Sequence, residues 1–328
     1  MSWFEGVGKD QAQEFETFVT VLRRDETPLE AIFDPDFRSP EQYERSTRKL
    51  KRAIEESIGF PPPAPTGTEL SDFRRSGEDS DALYFRAKIP IFSGLWVVGT
   101  FVVPKFRTAR APLVVGIGGT NTTAEQISQL VQESIQRGYA VWIPYLLHDT
   151  DASPETRKRI DAQAREVGTS LLALEVSKVV HGLGVVLRRT EIDRNRIAVI
   201  GWDEGGLYAL YAAAFDPHVA ATVCASSFGA RDGSPSEEPN NWPETLPPRR
   251  VCTFADSELA YLICPRALQI QAATGSTELP LEQVKKATAK LTQNYKKLKA
   301  AAKFQVVEIE GESGLDLETA WALIQKSL

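Results

Sequence analysis

Short apolar runs alternate with longer amphipathic stretches over most of this chain. The runs at 112–117 (PLVVGI), 139–144 (YAVWIP), 196–201 (RIAVIG), 220–225 (AATVCA), 267–271 (ALQIQ) and 304–309 (FQVVEI) have the pattern of strands buried on both faces. Between them, 122–137, 154–187, 205–215 and 281–301 carry helical periodicity and serve as crossovers, so the sheet is expected to be mostly parallel and flanked by helices. Two β-rich runs at 82–89 and 95–103, separated by the turn sequence PIFSG, predict an antiparallel hairpin leading into that sheet, for eight strands in all.

Upstream the pattern is helical. Phe15, Phe18, Val19 and Leu22 recur at i, i+3, i+4, i+7, and a second helix is expected from about residue 40 to residue 58. The run from Phe60 through Pro65 contains four prolines, which break a helix and favour an extended tether. The chain therefore divides into an N-terminal helical extension with its tether, 1–65, and an α/β domain, 66–328. A polar, Pro-rich insertion at 229–250 follows the sixth strand.

The chain has 328 residues, 42% of them hydrophobic, and this is enough to bury a core without covalent staples. With 38 basic against 44 acidic residues there is no concentrated positive excess, so neither a nucleic acid nor an anionic membrane is expected as partner. No run of about 18 apolar residues is present to span a bilayer, and the N-terminus lacks the apolar segment of a secretory signal. Cys224, Cys252 and Cys264 are odd in number with no CxxC spacing, which suggests neither a disulfide framework nor a zinc site. A cytoplasmic protein without metal or cofactor is expected. The amphipathic N-terminal helices suggest a homo-oligomer contact.

Candidate chemistry centres on Gly201-Trp202-Asp203-Glu204-Gly205-Gly206, between the fifth strand and its helix. Glycines two residues either side of a polar centre, in a strand-turn-helix context, form a nucleophile elbow that exposes the central side chain on a strained turn. Gly116-Ile117-Gly118-Gly119-Thr120-Asn121 after the third strand supplies a second Gly-rich loop, whose N–H groups can approach an anion together with that of Glu204.

With Ile192–Gly201 leading into the elbow and Phe254–Leu268 leading into the seventh strand, residues from about 80 onward resemble the α/β-hydrolase superfamily, and more narrowly its dienelactone-hydrolase-like and acetyl-xylan-esterase-like members. The resemblance implies the α/β-hydrolase fold, an oxyanion loop at Gly118 and Gly119, and a catalytic triad. At all three triad positions the chain departs from the pattern. Asp203 stands where the family carries serine or cysteine, Ser276 where it carries an acid, with Glu278 two residues on, and Ser313 (or Glu312) where it carries histidine. No histidine follows His218.

Two readings of Asp203 stand. It caps the following helix, or it is a nucleophile like the elbow aspartate of haloalkane dehalogenases and epoxide hydrolases, whose ester intermediate needs a base to resolve it. Of three histidines, His181 falls within a helix, His218 falls at the N-terminal edge of the sheet, and His148 alone follows a strand on the ligand-binding face, where it is a base, helps hold a cation, or is part of a solvated loop. Ser226 and Ser227 read as cleft lining, Cys224 and Cys264 as core, and the Lys285–Lys303 run as a solvated helix face. The function that follows is a carboxyl-ester-hydrolase relative lacking conventional triad activity. The alternative is an active esterase or Asp-nucleophile hydrolase with a rearranged base, and the expected partner is a small-molecule ligand or an ester-like substrate.

Overall fold

The computed structural model describes residues 13–14, 32–107, 109–120, 122–147, 152–229 and 255–328. The helix expected around Phe15–Leu22, the 229–250 insertion beyond Gly229, and His148 and Cys252 lie outside the described residues.

A nine-stranded sheet organises the chain. In chain order its strands are β1 (Asp72–Glu78), β2 (Ala82–Phe92), β3 (Leu95–Pro104), β4 (Ala111–Ile117), β5 (Ala140–Tyr145), β6 (Ile192–Trp202), β7 (Ala221–Ala225), β8 (Ala267–Ala273) and β9 (Phe304–Ile309). Their spatial order is β1-β2-β3-β5-β4-β6-β7-β8-β9. The first three strands form an antiparallel meander whose last member pairs antiparallel with β5 (Val98 opposite Tyr145), and every pairing from β5 to β9 is parallel. The expected hairpin is β2–β3, with Pro90 opposite Trp96. The count of eight is corrected by β1, whose sequence DFRRSGE is largely exposed and has no apolar alternation to mark it.

The helices are α1 (Pro40–Ser46), α2 (Arg48–Ile58), α3 (Ala124–Gln136), α4 (Pro154–Glu166), α5 (Leu171–Val186), α6 (Glu204–Phe215), α7 (Asp256–Tyr261), α8 (Leu281–Lys297) and α9 (Leu317–Ser327). The single helix expected over 154–187 is two, bent by 90°. Gly168 at φ 79° allows the reversal, and the Ser170 hydroxyl caps α5 by accepting from the Ala173 N–H at 3.1 Å. Among the described residues no single helix is long and apolar enough to cross a membrane.

Two apolar layers sandwich the sheet. On one face α3 and α9 pack Leu130, Ile135, Trp321 and Ile324 against the strands, and on the other lies a larger cluster that includes α5, α6 and α8. Helix α6 is buried along its whole length, with Ala209, Ala212 and Ala213 among its residues; such small side chains let a helix approach the sheet closely. Helices α1 and α2 contribute Tyr43, Leu50, Ile54 and Ile58 to the same cluster. Tyr43 also donates to the Tyr261 carbonyl at 3.1 Å.

Candidate functional site

The sharp turn between β6 and α6 places Asp203 at φ 52°, ψ −131°, a region L-residues avoid. Its N–H donates to the Ala225 carbonyl and its carbonyl accepts from the Gly206 N–H, both at 3.0 Å, so the turn is fixed from two sides. The flanking glycines are obligatory. A Cβ on Gly201 would collide with the Gly205 carbonyl, and one on Gly205 with the carbonyl of Ile117.

The reading of Asp203 as a helix cap is corrected here. It occupies the N-cap position, yet its side chain makes no capping bond, because a capping side chain requires extended backbone at that residue and φ 52° is not extended. Burial instead pushes the carboxyl up to about 6, Glu204 adds to the rise by like-charge repulsion, a hydrogen bond from Ser313 opposes it, and Glu278 adds a smaller repulsion. The elbow therefore presents a partly buried acid that is half-protonated near pH 6.

Ser313, at the position of the expected histidine, is thus brought to Asp203. Its loop is held by a reciprocal contact in which the Ser226 hydroxyl donates to the Gly314 carbonyl at 3.1 Å and accepts from the Gly314 N–H at 2.9 Å. This is the part Ser226 plays. Ser276, at the position of the expected acid, accepts from the Leu279 N–H at 3.1 Å and so shapes the turn after β8. The carboxylate felt by Asp203 from that loop belongs to Glu278.

The loop after β4 lies against the elbow. A Cβ on Gly119 would sit 2.5 Å from both the Asp203 Cβ and the Glu204 Oε2, and 3.0 Å from the Glu204 nitrogen. Gly118, Gly119 and Glu204 are therefore adjacent, in the arrangement an oxyanion loop needs. The Glu204 side chain lies against it. Glu204 is 3% exposed, and its Oε2 accepts from the Thr120 N–H at 2.7 Å while its Oε1 accepts from the Thr120 hydroxyl. Sequence reasoning missed Thr120 as a site residue. Its signal was a hydroxyl directly after Gly118-Gly119, facing an acid on the elbow.

Residues 100–246 match the model of the dienelactone hydrolase family. Among solved structures, a Bacteroides fragilis protein put forward as an acetyl xylan esterase superposes with a TM-score of 0.68 at 15% identity, covering 94% of this chain and 89% of its own. A glucuronoyl esterase from Solibacter usitatus gives 0.63 at 12% identity, covering 88% and 94%. Another, from Teredinibacter turnerae, gives 0.61 at 14% identity, covering 92% and 90%. The chain has the α/β-hydrolase fold. A comparison with curated proteins finds no match.

No histidine among the described residues stands beside the elbow. His181 packs edge-on against Phe92, ring centroids 5.3 Å apart, and burial lowers its pKa. His218 bonds through Nδ1 to Asp216 Oδ1 at 2.7 Å, on the turn that precedes β7, at the edge of the sheet opposite the elbow. Neither reaches Asp203, and His148 lies outside the described residues. Cys224 and Cys264 are buried, and burial pushes the Cys264 thiol up to about 12, so it is not a nucleophile at neutral pH. Among the described residues no group of three or more potential ligands gathers to hold a metal ion.

Proposed function

We propose that the protein is a non-hydrolytic member of the α/β-hydrolase fold that binds an uncharged, ester-like small molecule at the elbow rather than turning it over. The observation that carries this reading is the Glu204 carboxylate on the Thr120 N–H and hydroxyl. An oxyanion loop works because its donors are free to receive charge that develops in the transition state, and here a side-chain carboxylate is held against that loop by Thr120, the residue directly after Gly118 and Gly119. The elbow adds a second acid with a serine, not a base, as its partner. An alkyl ester formed on Asp203 would have no described group to activate water for its release.

The ligand class follows from the same charges. Asp203, Glu204 and Glu278 repel anions, so a neutral molecule suits the cleft. The esterases of similar fold act on esters by their names, which supports an ester-like ligand. Three cysteines with no CxxC spacing support a reducing, cytoplasmic setting.

The test is hydrolysis of p-nitrophenyl acetate by the wild type and by the triple variant Asp203→Ser, Ser276→Asp, Ser313→His, with intact mass measured after incubation with a haloalkane and an epoxide. No wild-type turnover above buffer and no adduct are expected. Wild-type turnover that disappears in Asp203→Asn, or a covalent adduct on Asp203, would overturn the reading in favour of an active Asp-dependent hydrolase.

A further inference from the structure

Four successive parallel strands each start beside a basic residue. Arg194 lies near the start of β6, His218 three residues before β7, Arg266 immediately before β8 and Lys303 immediately before β9. The order β6-β7-β8-β9 in space sets these strand starts side by side along the N-terminal rim of the sheet. Lys326, in the last turn of α9, joins them. All five line one open hollow of about 720 Å³, and no acidic side chain lines it. In a chain with a net charge of −6, this is a local inversion of sign.

Part of this charge is structural. Arg266 is half-buried, donating to the carbonyls of Ala213, Asp216, Val219 and Leu262, so it holds the end of α6 and faces a ligand chiefly through its field. His218 is paired with Asp216. Arg194 uses its Nε on the Leu187 carbonyl at 2.7 Å. The ammonium groups of Lys303 and Lys326, by contrast, have no carboxylate partner among the described residues, although both border the same concavity. Unpaired like charges converging on a concave surface focus a positive potential there and repel one another until an anion neutralises them.

We propose that this hollow is a binding site for a phosphorylated small molecule, held by Lys303 and Lys326 with Arg194 at its edge. Phosphate suits it better than a single carboxylate. Lysines act as point charges on a multiply charged group, and the hollow's size falls within the range of small-molecule sites. The confinement of the charge to one concavity, in an acidic chain, separates it from a nucleic-acid surface. The site is independent of the elbow, which lies at the opposite ends of the same strands, roughly 20 Å away at about 3.3 Å per residue.

Inorganic pyrophosphate is the probe, titrated by calorimetry into the full chain at low ionic strength without divalent metal. Saturable binding is expected, weakened about three- to fivefold by Lys303→Gln or Lys326→Gln and by more than about tenfold in the double variant. Asp203→Asn is expected to bind as the wild type, so the result is separable from the fate of the elbow. Absence of saturable binding, retention of wild-type affinity in the double variant, or an equal loss in Lys286→Gln would overturn the assignment.

Discussion

Replacing Asp203 by Asn removes one titrating group and changes little else in shape. In the folded protein this carboxyl rises from its ordinary 3.8 to about 6. Folding therefore favours its protonated form, and ionisation costs stability progressively as pH rises from about 4 through about 6. A difference of about two on the pH scale, at about 1.4 kcal/mol each, gives a full cost of about 3 kcal/mol. Asp203 is only partly buried, and solvent screening reduces the cost to about 1.5 kcal/mol. Asp203→Asn should therefore be close to wild type in stability near pH 4 and more stable by about 1.5 kcal/mol at pH 7.5. Urea unfolding at both values measures this from the midpoints, provided the slopes agree. A gain equal at the two pH values, or a wild type more stable at pH 7.5, would refute the assignment of a desolvated, repelled carboxyl at the elbow.

Three further outcomes follow from the same geometry. Ser313→Ala deletes the bond that opposes the rise at Asp203, so the Asp203 titration followed by carboxyl NMR should move above its wild-type midpoint. Glu204→Ala removes both acceptors of Thr120; hydrogen exchange at the Thr120 amide should accelerate, with about 1–2 kcal/mol lost in a urea melt. Arg266→Met strips four carbonyls of their donor where α6 ends, and thermal unfolding should show a loss of about 3 kcal/mol or more.

Much of the fold is legible because strands β4 to β9 are short apolar runs and the intervening helices have clear periodicity. Four features escaped that reading for physical reasons. Strand β1 faces solvent and carries no apolar code. The 154–187 segment keeps helical periodicity through its bend, because Gly168 and Ser170 act on the backbone and leave the apolar pattern intact. Asp203 reads as a good cap by residue type, but the backbone angle set by tertiary contacts with Ala225 and Gly206 removes it from that role. The Glu204–Thr120 contact spans 84 positions, and its local trace is no more than a hydroxyl directly after Gly118-Gly119 and an acid beside the elbow centre. The site's location is written in its glycines, while its chemistry depends on which side chain fills the gap between two loops.

Strand β1 also governs how the molecule meets others of its kind. An unpaired sheet edge is a template on which further chains can add, and without β1 that template would be the eleven-residue strand β2. The strand that covers it carries Asp72, Arg74, Arg75 and Glu78, and its register slips between Arg75 and Gly77. Alternating charges and a bulge make a poor docking rail. The segment with the least hydrophobic information in the sheet thus works as its guard against edge-to-edge aggregation, and neutralising its charges should show first in solubility, before stability changes.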